Sequence, residues 1–228
     1  MRRAGAGLAV LLLAACQSSG PVDNPVGQRL TWFSYLDGRD IRAACTPGSL
    51  SRLRFVYNGT WTSQVRTYDV VQTATGAEVE ARVLGDGNVA NVQLEGFNLL
   101  SPWESRKSVS QLDRAGFADL VGAAIASGLR NRPPQGDWLR SDAYYWIAAG
   151  CIDGQYHWNA WASNWPRDGA NFIARVRFVD YLLKADTTGV PFNPPQRQTL
   201  PPWASRGPRA GGFELQIGGD GLNLGPQF

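Results

Sequence analysis

Short apolar–polar alternations separated by glycine turns constrain this chain most, because a period of two fits a half-buried strand and no helix. Leu53, Phe55 and Tyr57 alternate with Arg52 and Arg54, and Val79, Ala81 and Val83 with Glu78, Glu80 and Arg82. Ala90, Val92 and Leu94 alternate with Asn91 and Gln93, and the stretch 65–73 is rich in β-formers. The runs are separated by Asn58-Gly59, Thr75-Gly76 and Gly85-Asp86-Gly87-Asn88. Connections this short join antiparallel neighbours, whereas a parallel crossover needs a dozen residues or more. Residues 52–94 are therefore expected to form a four-stranded meander, preceded by a strand at 30–35.

The period changes after Pro102. Leu112, Ala115, Phe117, Leu120, Val121, Ala124 and Ile125 approximate one helical face. Ser110 followed by Asp113 resembles an N-cap pair and Gly128 a stop, which predicts a helix over 111–128. Asp153-Gly154 centres a hairpin with strands near 144–151 and 155–161. Between 171 and 184 two periods compete. Phe172, Ile173, Val176, Val179, Leu182 and Leu183 fit a helix, the preferred reading. Ala174, Val176 and Phe178 against Arg175 and Arg177 fit a strand. Beyond Asp186 the chain is rich in Pro and Gly, with Phe213, Leu215 and Ile217 permitting one late strand. This order predicts an α+β fold, an antiparallel β-sheet (meander plus later hairpin) with one or two packed helices. A β-sandwich is the alternative if 171–184 is a strand.

Ahead of this body, Arg2 and Arg3 precede an apolar run from Leu8 that ends in Leu13-Ala14-Ala15-Cys16. A charged start, a short apolar run and small residues at the cleavage point make an export leader. The run falls far short of the ~20 residues a membrane-crossing helix needs. The tetrapeptide resembles the lipobox of bacterial lipoprotein signal peptides, over residues 1–17 only. That resemblance implies removal of 1–15 and a new N-terminus at Cys16 bearing diacylglycerol and an N-acyl chain such as palmitate. Two or more acyl chains give stable anchoring, so the membrane is the expected partner. Gln17, where an Asp retains such proteins at the inner membrane, points to the outer membrane facing the periplasm. Residues 16–28, with Gly20, Pro21, Pro25 and Gly27, read as a flexible tether. The globular domain is expected over 29–185, with 186–228 a partly ordered segment.

Losing Arg2 and Arg3 takes the formal charge from +3 to +1, which gives no reason to expect nucleic acid. With Cys16 acylated, Cys45 and Cys151 are left as a pair in an oxidising compartment. A disulfide between them is expected, with two separate buried thiols as the alternative. One histidine and the lack of a C-x-x-C speak against a metal site. No cofactor motif is evident, since Gly219, Gly221 and Gly225 lie too near the C-terminus for a helix to follow.

Trp138, Tyr144, Tyr145, Trp146, Tyr156, Trp158, Trp161 and Trp165 crowd one stretch. Rings of this kind stack on sugars, which makes Trp146, His157, Trp158, Trp161 and Trp165 candidate ligand-binding residues. Asn159, Asn164, Asp168 and Asn171 are available to hydrogen-bond hydroxyls. The plainer reading is core packing, the ordinary fate of large aromatics. His157 is the sole histidine and no G-x-S-x-G elbow partners it, so a packed or surface role is preferred to catalysis. Asp153, Asp168 and Asp180 are the nearest carboxylates for glycoside hydrolysis, but Asp153 and Asp168 each precede a glycine as turn residues do. The chain thus reads first as a non-enzymatic, lipid-anchored envelope protein with an envelope partner or a structural role. The alternative is a glycan- or peptidoglycan-binding module using 138–165. A hydrolase with acidic catalysts is the third reading.

Overall fold

The architecture grows outward from β1 (Arg52–Gly59), which holds the centre of a sheet and is buried along almost its whole length. A computed structural model describes residues 32–60, 63–84, 105–162, 175–195 and 213–223. β1 pairs antiparallel with β2 (Val65–Gln72), and β2 with β3 (Gly76–Leu84), as the alternation predicts. Asn58 and Gly59, expected as the turn, are instead the last residues of β1, with Asn58 opposite Val65, and the chain reverses after them, where Thr60 is left-handed at φ 65°. On its other side β1 pairs with β6 (Tyr144–Ile152), bringing Arg52 opposite Cys151 and Tyr57 opposite Trp146. β6 turns into β7 (Gln155–Ala162) through Asp153 and Gly154, both left-handed at φ 54° and 73°. Two successive left-handed residues are what a tight type I′ hairpin requires, and Asp-Gly supplies them at low cost.

The meander's fourth strand differs from expectation. Residues 90–94 lie outside the described part, and the strand that pairs with β3 is β4 (Ser105–Asp113). Ser110 is therefore a strand residue and not a helix cap; its Oγ donates to the Ala185 carbonyl at 2.7 Å. The helix begins one residue after Asp113 as α2 (Arg114–Ala126), with the Asp113 side chain accepting from Gly116 N–H. Polar residues on both faces of β4 gave its alternation nothing to display. The six-stranded order is β4-β3-β2-β1-β6-β7, every neighbour antiparallel. A second sheet contains β5 (Trp138–Arg140), β8 (Glu214–Ile217) and β9 (Leu222–Asn223). The ambiguous stretch contains α3 (Val179–Ala185), so the condition for a sandwich is not met and the fold is α+β.

The large sheet is covered on both faces. Phe55, Tyr57, Tyr68, Val70, Val79, Trp146 and Trp161 form one core beneath α2, α3 and Phe178. Phe178 enters the aromatic cluster with centroids 4.7 Å from Phe55, 5.4 Å from Trp146 and 5.3 Å from Trp161. Val56, Val65, Tyr145, Ile147, Ala149 and Trp158 face the other way, beneath residues 32–44 and the small sheet. The expectation that β1 is wet on its arginine face is thus corrected, because a second layer lies over it.

That second layer also corrects the strand expected at 30–35. Residues 32–36 are helical, followed by α1 (Arg39–Ala44). Trp32, Tyr35 and Leu36 recur at i, i+3 and i+4, and all three are buried on the sheet. So few residues carry both periods, and contact with the sheet selects the helical one. Gly38 makes the corner between the two helical pieces at φ 63°, where a Cβ would stand 2.5 Å from Ala149 Cβ. Gly38→Ala should cost about 1–3 kcal/mol, from the left-handed backbone and the overlap. An unchanged urea midpoint would contradict this close approach.

Cys45 and Cys151 form a disulfide with Cα atoms 5.5 Å apart, tying the end of α1 to β6. Two buried arginines complete the frame. Arg54, only 1% exposed, forks onto Asp40 at 2.7 and 2.9 Å and donates to Asp69 at 3.0 Å. On the opposite face Arg66 bonds Asp186 at 2.6 Å and the carbonyls of Val190 and Pro191, holding 186–191 across the sheet.

Candidate functional site

The aromatic residues flagged by the sequence do not gather on one surface, although Cys151, Tyr156 and Asp153 share the β6–β7 hairpin. Trp146 and Trp158 are core residues on opposite faces of the large sheet. Trp158 Nε1 donates to the Leu36 carbonyl at 3.1 Å, so its one polar atom is used inside the protein. Trp161 is largely buried, and Trp165 lies outside the described residues. Cys16 lies outside them as well. His157 is half-buried opposite Gly150, and its Nε2 makes no hydrogen bond among the described residues. Burial, and then the nearby Arg130 charge, lower its pKa against the smaller opposing pull of Asp153. Asp153 serves the β6–β7 turn and pairs with Arg130 at 3.6 Å, while Asp180 stands exposed in the first turn of α3. Asp168 lies outside the described part.

Two of the flagged residues do meet, at the free edge of the sheet. Asn159 and Trp161 of β7 hold the turn that follows α2. Trp161 Nε1 donates to the Ser127 carbonyl at 2.9 Å, and Asn159 Nδ2 to the Gly128 carbonyl at 2.7 Å. Asn159 Oδ1 also accepts the backbone N–H of Ala160 at 2.8 Å. This occupies part of an edge that would otherwise present bare donors and acceptors. Gly128, at φ 98°, lets the chain leave α2 towards this edge. Ser127 Oγ donates to the Ala123 carbonyl and accepts the backbone N–H of Arg177, each at 2.8 Å. That contact brings the chain entering α3 to the same place.

The result is a cleft of about 440 Å³. Its walls come from the 126–128 turn, from β7 and from Ile217 of β8, and its polar rim includes Arg132, Arg175, Arg177 and Asp137. All four rim residues are exposed. Cavities of this size are in the range that takes small ligands or the end of a larger one. Sequence reasoning missed all four rim residues. They come from three segments that only the folded edge of β7 brings together, and Arg175 and Arg177 read as the polar side of an ambiguous element.

Among the described residues no group of three His, Cys, Asp or Glu side chains is placed to hold a metal ion. No helix among them is long and apolar enough to cross a membrane. Comparison with known proteins finds no match in any protein-family model, curated protein or solved structure.

The ionised groups elsewhere belong to the frame, and they make a pH prediction. Asp40 and Asp186 are both held below the usual carboxylate range. For Asp40 burial works upward, and the hydrogen bonds and charge of Arg54, with Arg52, outweigh it. For Asp186 burial again works upward, against Thr188, Tyr68 and Arg66. Each folded-state pKa is therefore below its unfolded value. The stabilisation is complete above the ordinary carboxylate value near pH 4 and is lost as pH falls through the depressed folded values. Urea midpoints should fall on acidification below about pH 4, and less steeply in Asp186→Asn. An acid profile identical in that variant would contradict the assignment.

Proposed function

We propose that this chain is a lipid-anchored cell-envelope protein and that its body is a non-enzymatic binding module whose recognition surface is the β7-edge cleft. The leader, Cys16 and Gln17 support an outer-membrane anchor facing the periplasm. The cleft carries the binding part of this reading: a cavity of about 440 Å³ with a polar rim drawn from three segments. Binding sites on rigid scaffolds commonly take this form, a concavity with a few converging polar groups. The glycan alternative draws less on the described residues, because Trp146 and Trp158 lie in the two cores and Trp161 is the one aromatic residue among the described lining of the cleft. The hydrolase reading draws no support from Asp153 or Asp180, which sit in a turn and on α3.

Anchoring is tested by Cys16→Ala, which should move the protein from the membrane pellet to the soluble envelope fraction, because acylation is what holds it there. Continued membrane association of the variant would contradict the anchor.

A further inference from the structure

The charge around the cleft is out of proportion to the rest of the chain. The whole sequence carries a formal +3, reduced to +1 without Arg2 and Arg3. Yet Arg132, Arg175 and Arg177 converge on one cavity in which Asp137 is the only carboxylate among the lining residues described. Arg132 Nη2 touches Gln135 Oε1 at 3.2 Å, and Arg177 is positioned through its backbone on Ser127. The turn that carries Arg132 also carries Arg130, which is occupied by Asp153.

One feature of the cleft would ordinarily repel an anion: the C-terminal end of α2 points there with its negative partial charge. Its carbonyls at Ser127 and Gly128 are already occupied by Trp161 and Asn159. The negative end of the helix is thereby capped from within, and the arginines set the sign of the cleft. Guanidinium forks match carboxylate and phosphate oxygens in paired hydrogen bonds, a match that neutral sugar hydroxyls do not offer.

We infer that the cleft takes an anionic ligand whose carboxylate or phosphate groups are read by Arg132 and Arg177. This rests on the cleft being the binding surface and names the chemistry of what it binds. The ligand is either a free small anion or a charged group presented by a larger envelope molecule, and the two sources separate by experiment.

The test is calorimetric titration of the chain from residue 16 with Cys16→Ala, which bears no acyl anchor of its own, with citrate, inorganic pyrophosphate and a neutral chitooligosaccharide, together with flotation of the same chain on phosphatidylglycerol and phosphatidylcholine vesicles. The expected result is salt-sensitive binding of citrate or pyrophosphate. Arg177→Gln and Arg132→Gln should each weaken it at least about tenfold, the loss of one charge-assisted contact. Arg106→Gln, on the opposite edge strand, should leave it unchanged. Flotation with the anionic vesicles alone, abolished by the same two substitutions, supports the same chemistry with a lipid headgroup as its source. Anion binding that ignores both substitutions overturns the inference. Binding of the neutral sugar alone overturns it as well, while leaving the cleft as a binding surface. Failure of every probe removes both.

Discussion

Arg54→Met should lower the unfolding free energy by about 3–5 kcal/mol, the cost of leaving buried charge without its partner. The size follows from where Arg54 stands. It lies on the central strand with its side chain 1% exposed, between carboxylates that are 15% (Asp40) and 12% (Asp69) exposed. Its guanidinium also donates to the Tyr35 carbonyl at 3.2 Å and stacks 3.6 Å from the Tyr35 ring centroid. Tyr35 Oη in turn donates to Asp69 at 2.7 Å. Removing the guanidinium leaves Arg52, at 3.1 Å from Asp40 and 3.3 Å from Asp69, as the cation paired with both carboxylates among the described residues. Arg52 places the loss nearer the lower end of the range. Combining Arg54→Met with Asp40→Asn and Asp69→Asn should recover much of the loss, because the uncompensated charges go with it. Urea unfolding with an unchanged m-value is the measurement. A loss below about 1 kcal/mol would mean that water reaches this network and the second layer is looser than described.

Breaking the Cys45–Cys151 bond should cost about 4–5 kcal/mol, since it closes a loop of 106 residues in sequence and the chain-entropy model scales with that length. The bond also joins the segment carrying Trp32, Tyr35, Leu36 and Ile41 to the sheet they cover. Its loss should therefore expose the second core before the first. The double variant Cys45→Ser/Cys151→Ser, compared with the oxidised chain in urea, reads the cost. Hydrogen exchange in the same pair should show protection falling first at 32–44 and last in β1. Equal midpoints, or protection lost first beneath α2, would contradict the arrangement.

Much of the fold was legible because its signals are local. Strands β1, β2 and β3 announce themselves by alternation, Thr75-Gly76 marks the β2–β3 turn and Asp153-Gly154 the β6–β7 turn, whereas Asn58-Gly59 belongs to β1 and the reversal follows it at Thr60. The β8 strand showed in three alternating apolar residues. What stayed hidden depends on contacts between distant segments. Nothing local to β1 says that β6 is its neighbour, or that Arg52 and Arg54 face a second layer and not water. An arginine on a strand reads as solvated until its carboxylates are located, and Asp40 and Asp69 come from other elements. β4 was masked by serines at alternate positions, which left Leu112 and Asp113 to be read as the start of the helix. The cleft was the least legible part, because its rim is drawn from the turn after α2, the approach to β5 and the approach to α3. Asn159 and Trp161 were flagged as ligand contacts; in the structure their polar atoms hold the wall that the arginines surround.

The most direct measurement is the intact mass of the protein taken from the membrane of its own cells, without reductant. The account predicts a chain that begins at Cys16, is heavier by its acyl groups, and lacks the two hydrogens removed by the Cys45–Cys151 bond. A chain that begins at Met1, or that begins at Cys16 without any acyl group, would contradict it.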